Sequence, residues 1–210
     1  MDTDKRECIL KAAVRAFSRL GFRKTSIDEV AQEAGVGKGT IYLAVSSKDE
    51  LFLQAVEREL AAFLAEGRKL LPVFDDAVEL LSGLVASEVA DAARRPLVRG
   101  LFVGQTLATV PASEAQVDLL VTRARDNLVH ALERLRDGAA LRDDLEVDVA
   151  ARLVQDLEIA ALVRAERRSD ATLTELDWRR PLATLVRGLR RPLVAVPAAR
   201  PTPRLRGRTA

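Results

Sequence analysis

At 210 residues, 48% of them hydrophobic but only 4% aromatic, the chain can bury one sizeable core or two small ones, and its Leu, Ala, Arg and Glu excess predicts an all-α protein. No run approaches the roughly 18 uninterrupted apolar residues of a membrane span, and the N-terminus MDTDKRECIL lacks the apolar core of a secretory signal, so a cytoplasmic protein is expected. The net charge of +2 is unevenly spread: nine Lys/Arg meet eight Asp/Glu over 1–50, fifteen meet twenty-three over 51–177, and nine Arg with no acid follow from Trp178 onward, which excludes the middle as a polyanion binder in bulk.

Residues 5–20 place Ile9, Ala13, Phe17 and Leu20 on one helical face, and Gly21 reads as the stop of this first helix. Cys8, the single cysteine, cannot staple the fold by itself and fits a reducing cytosol as a half-buried helix residue. Ser26 and Glu29 have capping-box spacing, which starts a second helix near Ile27 with Ile27, Val30, Ala31 and Ala34 as its apolar face. Gly35-Val36 makes a turn into a third helix over about 37–43. Ser47 and Glu50 form a second capping box, opening a helix over about 47–66 that reads as a strut towards the rest of the chain, with Pro72 as the boundary.

Beyond Pro72, helical patterns fall near 75–93, 96–108, 112–137, 146–168 and 173–191. The third has the clearest stripe, from Val117 through Leu120, Val121, Ala124, Leu128, Ala131 and Leu132 to Leu135. The fourth is apolar on more than one face, so it should be covered by more than its own subunit. Pro181 either kinks the fifth or sits in its first turn. The Pro/Arg-rich segment after Leu193 has no apolar period and is expected to be disordered, a solvated basic tail over 196–210.

Two short helices joined at a glycine turn, the second opening on small residues, form a helix-turn-helix built to enter the DNA major groove. Gly37, Lys38, Gly39 and Thr40 give the second helix a slim leading edge, and Tyr42 can offer its hydroxyl to a phosphate. Thr25 and Ser26 offer hydroxyls and free N–H groups to the backbone, and Lys48 adds a cation at a helix start that already favours anions. A segment with so small a net charge must bind through placed contacts rather than a broad positive field.

In order and without gaps, Ala-Ala-x3-Phe of the first helix, Gly-Phe-x2-Thr-Ser, Ala-Gly-Val, Gly-Thr-Ile-Tyr and Ser-Lys-x2-Leu cover the first fifty residues. This stretch resembles the N-terminal domain of TetR-family transcriptional regulators. The resemblance implies a helix-turn-helix DNA-binding domain over 3–63 (the helix-turn-helix itself at about 26–45) and a larger helical ligand-binding and dimerisation domain over 70–195. It further implies a ligand-responsive, sequence-specific regulator, a repressor released from a pseudo-palindromic operator by a small molecule. The homodimer would pair the last two long helices, with Ala150, Leu153, Val154, Leu157, Ala161, Leu182, Leu185, Val186 and Leu189 near the interface. Phe74, Phe102, Gln105, Asn127, His130 and Glu158 are candidate contacts to a hydrophobic or amphipathic effector. Leu43-Ala44-Val45 departs from the family's usual x-[Tyr/His]-Phe and removes a side chain that often touches phosphate.

Rival chemistries lack residues. GVGKGT has neither the upstream glycine nor the Ser/Thr after lysine of a phosphate-binding loop. His130 is the only histidine, so no multi-histidine metal site or hydrolytic triad is expected, and no cofactor or catalytic residue is assigned. A helical interaction protein with a vestigial N-terminal domain is the competing class.

Overall fold

The computed structural model describes residues 3–72, 76–103, 114–166 and 178–190, and among them every regular element is a helix. Helix α1 (Thr3–Lys24) breaks at Gly21 as expected: the backbone there is non-helical, φ 75, ψ 167, and a last short turn follows the kink. Helix α2 (Ile27–Ala34) starts at Ser26, whose hydroxyl accepts from the Glu29 N–H while the Glu29 carboxylate takes the Ser26 N–H, the reciprocal capping box. It ends at Gly35 in the left-handed region, φ 67, where a side chain would be strained. Helix α3 (Lys38–Ala44) follows at once.

Helix α4 (Lys48–Arg68) is capped by the Ser47 hydroxyl, but the box is only half formed: the Glu50 carboxylate turns to the N–H and hydroxyl of Ser46. Phe17 of α1 and Phe52 of α4 meet edge-on at 5.0 Å, with Phe22 edge-on to Phe52 at 5.3 Å. Ile9, Ala13, Val30, Ile41, Val45 and Leu51 close around them, all buried. Val45, standing where the family favours a large aromatic, is in the core; Leu43 is 80% exposed. Cys8, expected half-buried, is exposed on α1.

The second half comprises α5 (Ala77–Arg94), α6 (Pro96–Phe102), α7 (Glu114–Arg123), α8 (Asp126–Asp137), α9 (Val147–Glu166) and α10 (Arg179–Leu189). The single helix expected over 112–137 is two, α7 and α8, broken at Ala124 and Arg125; both sides keep one buried stripe from Leu120 to Leu135, Val117 lying outside the described side chains. Pro181 takes the first-turn alternative, where its missing N–H costs nothing. Helix α10 packs on α5 and α9. Phe74, Gln105 and the 196–210 tail lie outside the described residues.

Helix α4 touches both halves. Its first half packs on α1; its second packs on α5, α6 and α8, with Phe63 edge-on to Phe102 at 5.7 Å. Glu59 on α4 is buried and accepts the Val98 N–H of α6 at 2.9 Å. Burial raises its pKa, and the N–H bonds from Val98 and Leu97 oppose that rise. A displacement of α5, α6 or α8 therefore reaches the helix that carries α1.

Candidate nucleic-acid interface

Helix α3 presents an open leading edge. A Cβ built on Gly37 or Gly39 meets no atom within 4 Å, so both glycines face solvent. Gly37 is the N-cap and gives no side-chain bond, which leaves the first N–H groups of α3 available to an acceptor from outside. Thr40 is half-buried and Tyr42 is 50% exposed, both anchored by the wholly buried Ile41 between them.

Lys38 is exposed and bonds Asp28 of α2 at 2.8 Å, which raises its pKa through that hydrogen bond and the carboxylate's charge. Solvent screens so exposed a pair, so exchanging Asp28 for a DNA phosphate costs little. Ser26 is exposed, yet both its N–H and hydroxyl already bond Glu29, whose carboxyl they hold below the usual carboxylate range. It is less available than expected.

Thr25 and Lys48, expected on the DNA backbone, are turned inward. Thr25 is 2% exposed, its hydroxyl donates to the Gly21 carbonyl at 2.8 Å, and its N–H bonds the same carbonyl. These bonds brace the kink in α1. Lys48 sends its ammonium to the carbonyls of Phe22 and Thr25 at 3.0 and 3.1 Å and lies 4.4 Å from the Phe22 ring centroid. It ties α4 to the end of α1. A Lys48→Ala chain should therefore lose about 1–2 kcal/mol of stability in urea unfolding. The salt dependence of its DNA binding should stay unchanged, whereas loss of a phosphate contact would reduce the slope by about 0.9.

The residues expected to line an effector site separate in the structure. His130 is exposed and its Nδ1–H donates to the Asp126 carbonyl, so it does not face the interior. Phe102 is buried as the packing partner of Phe63. Asn127 and Glu158 do come together inside the second half, with Glu88 of α5, which the sequence reading did not single out. Glu88 stands in register with Leu81, Leu84, Val85 and Ala92, all buried, and a charged residue within an apolar stripe was the available signal. Among the described residues no group of three or more His, Cys, Asp or Glu could hold a metal ion.

The expected interface residues also divide. Ala150, Val154, Ala161, Leu182 and Val186 are buried within their own chain, which corrects their placement at a dimer surface. Leu153 is 46% exposed, and with Asp156, Leu157, Pro181 and Leu185 it lines an open groove of about 330 Å³ between α9 and α10. Leu189 is partly buried against the core.

The model of the family "Bacterial regulatory proteins, tetR family" matches residues 9–55, the span from α1 to the first half of α4. An uncharacterised transcriptional regulator of Bacillus subtilis, YfiR, is 35% identical over 156 residues, 72% of this chain and 65% of its own. The chain belongs to the TetR family of regulators. Another B. subtilis regulator, YhgD, is 46% identical over 52 residues, a stretch that is 25% of this chain and 27% of YhgD. The fold is shared by Thermus thermophilus FadR, a TetR-family transcriptional repressor solved with lauroyl-CoA: 23% identity, TM-score 0.65, covering 92% of this chain and all of that one. TetR-family proteins are transcription regulators rather than enzymes; they bind operator DNA, dimerise and bind small-molecule effectors. Among the described residues no helix is long and apolar enough to cross a membrane.

Proposed function

We propose that this chain is a homodimeric, sequence-specific transcriptional repressor that leaves its operator when a small molecule binds among its C-terminal helices. The observation that carries this reading is the exposed small-residue edge of α3, held on a buried aromatic core by α1, α2 and α4. Residues 3–63 form the DNA-binding domain and 70–195 the effector and dimerisation domain, with α4 running across the boundary. Gly37, Lys38, Gly39, Thr40 and Tyr42 meet the major groove and its flanking phosphates, and Ser26 approaches the backbone beside them. Arg23 and Lys24, exposed in the last turn of α1 and close to Ser26 in the chain, add cations.

The α9–α10 groove supports the dimer. Leu153, Leu157 and Leu185 offer apolar surface that a two-fold copy of the same helices would cover, and such a dimer sets two α3 helices about one DNA turn apart, on a pseudo-palindrome. The repressor's effector acts by preferring the conformer whose α3 spacing misfits the operator; a hundredfold loss of DNA affinity corresponds to about 2.7 kcal/mol of coupling.

Fluorescence anisotropy on duplexes from around the protein's own coding region tests the reading. Salt-sensitive, sequence-selective binding is expected, and indifference to every duplex would overturn it. In the same titrations Leu153→Glu should sediment as a monomer and bind about tenfold or more weakly. A variant that remains dimeric would remove the groove from the interface.

A further inference from the structure

Glu88 of α5, Asn127 of α8 and Glu158 of α9 converge in the interior beside Gly67 of α4, each carboxyl 2% exposed and the amide not at all. The Asn127 amide nitrogen donates to Glu88 Oε1 and to the Leu64 carbonyl of α4, both at 3.0 Å. Those two acceptors fix the amide's orientation and make its other atom a carbonyl oxygen. The two carboxyls are hydrogen-bonded to one another. No N–H or hydroxyl of the protein reaches Glu88 Oε2, Glu158 Oε1 or Asn127 Oδ1. Buried polar atoms are nearly always paired, so three such atoms in one cluster make a place for a donor.

The donor that fits there has a defined chemistry. Once the proton between the two carboxyls leaves, all three atoms are acceptors, so the group must donate. Two carboxyls in low dielectric with no cation repel one another once both ionise, so it must also be positive. A primary ammonium brings three N–H donors and one charge. Resting on the reading of these helices as an effector domain, we propose that Glu88, Glu158 and Asn127 form the head-group site for an effector carrying a protonated primary amine.

The acceptors are closed off from solvent here, so the amine enters only when α8 and α9 part from α5. The ligand then prefers a conformer other than this one, which is what allows it to shift an equilibrium. The Asn127 amide that answers the amine is the one holding Leu64 on α4, so occupation loosens or re-aims the helix shared with the DNA-binding half. Without ligand, burial pushes the Glu88 carboxyl up to about 7 and Glu158 well above its ordinary value, the groups acting on them being each other and Asn127. The pair by itself therefore holds a proton near neutrality, and an ammonium replaces it.

Calorimetry with decylammonium, decanol and decanoate, which share one chain, tests the site on the full protein. Decylammonium should bind with release of protons, read as a binding heat that depends on the buffer, and its affinity should rise as pH passes through about 7. Glu88→Gln and Glu158→Gln should each weaken decylammonium by about tenfold or more and leave decanol unchanged. Equal binding of all three compounds without proton release overturns the proposal, as does a parallel loss of decanol affinity in both variants. Proton release is measured on the parent chain and does not depend on either variant folding. DNA anisotropy separates this site from the effector reading. Release by decanol or decanoate from parent and Glu88→Gln alike leaves that reading standing without the amine site. Decylammonium that binds as described but leaves the DNA complex intact does the reverse.

Discussion

A Gly39→Glu chain will fold at least as stably as its parent and bind operator DNA more than about a hundredfold more weakly. Gly39 lies in the first turn of α3 with negative φ, and a Cβ there meets nothing within 4 Å. Replacing glycine inside a helix recovers roughly 0.5–1 kcal/mol, and a carboxylate near a helix N-terminus is favoured by the dipole. Nothing in the fold opposes the substitution. The DNA opposes it twice: the new side chain occupies the space that lets α3 approach base edges, and its charge faces phosphates. A hundredfold over two half-sites is about 1.4 kcal/mol each, modest for a steric and like-charge conflict. Thermal unfolding beside DNA anisotropy decides it. A variant that folds and still binds would place the leading edge of α3 away from the duplex.

The first half was legible because its signals are local. Ser26 with Glu29 fixes the start of α2, and Gly35 fixes its end, through bonds that span three or four residues. Lys48 was misread because its partners, the Phe22 and Thr25 carbonyls, lie more than twenty residues away and no local pattern encodes them. The break between α7 and α8 was invisible for a different reason. The turn at Ala124 and Arg125 uses no glycine or proline and leaves Leu120, Ala124, Leu128 and Leu132 on one buried stripe, so periodicity continues across it.

The dimer surface was read too broadly from the same cause. Apolar positions on α9 and α10 serve two neighbours, and periodicity does not say which comes first; Ala150, Val154, Leu182 and Val186 fill their own core and leave Leu153 outside. The effector region was legible only in part. Asn127 and Glu158 were singled out by residue type, while Glu59, Glu88 and Glu158 share a more telling feature: a carboxyl at a core position of an otherwise apolar helical face. Each links helices from the two halves of the molecule or from different parts of the second half.

A Gly67→Ala chain will lose about 2–3 kcal/mol of stability, Asn127→Ala will lose about as much, and the two together will lose less than the sum by more than about 1 kcal/mol. A Cβ on Gly67 falls 2.3 Å from the Asn127 amide nitrogen and 2.9 Å from Glu88 Oε1, both on buried side chains that cannot swing away without breaking the bonds they make. Alanine is otherwise the better helix former, so a loss at this site reports the clash alone. Removing the Asn127 amide strips the Leu64 carbonyl and Glu88 Oε1 of their donor, which accounts for the second loss. In the double variant the methyl group enters the space the amide vacated, so the steric part of the first loss is relieved while the unpaired acceptors remain. Urea unfolding of the four chains measures that coupling directly. Strict additivity would mean that α4 accommodates a side chain at position 67 by moving off α8, and the polar joint between the two halves would then be too soft to transmit a change from the effector region to α3.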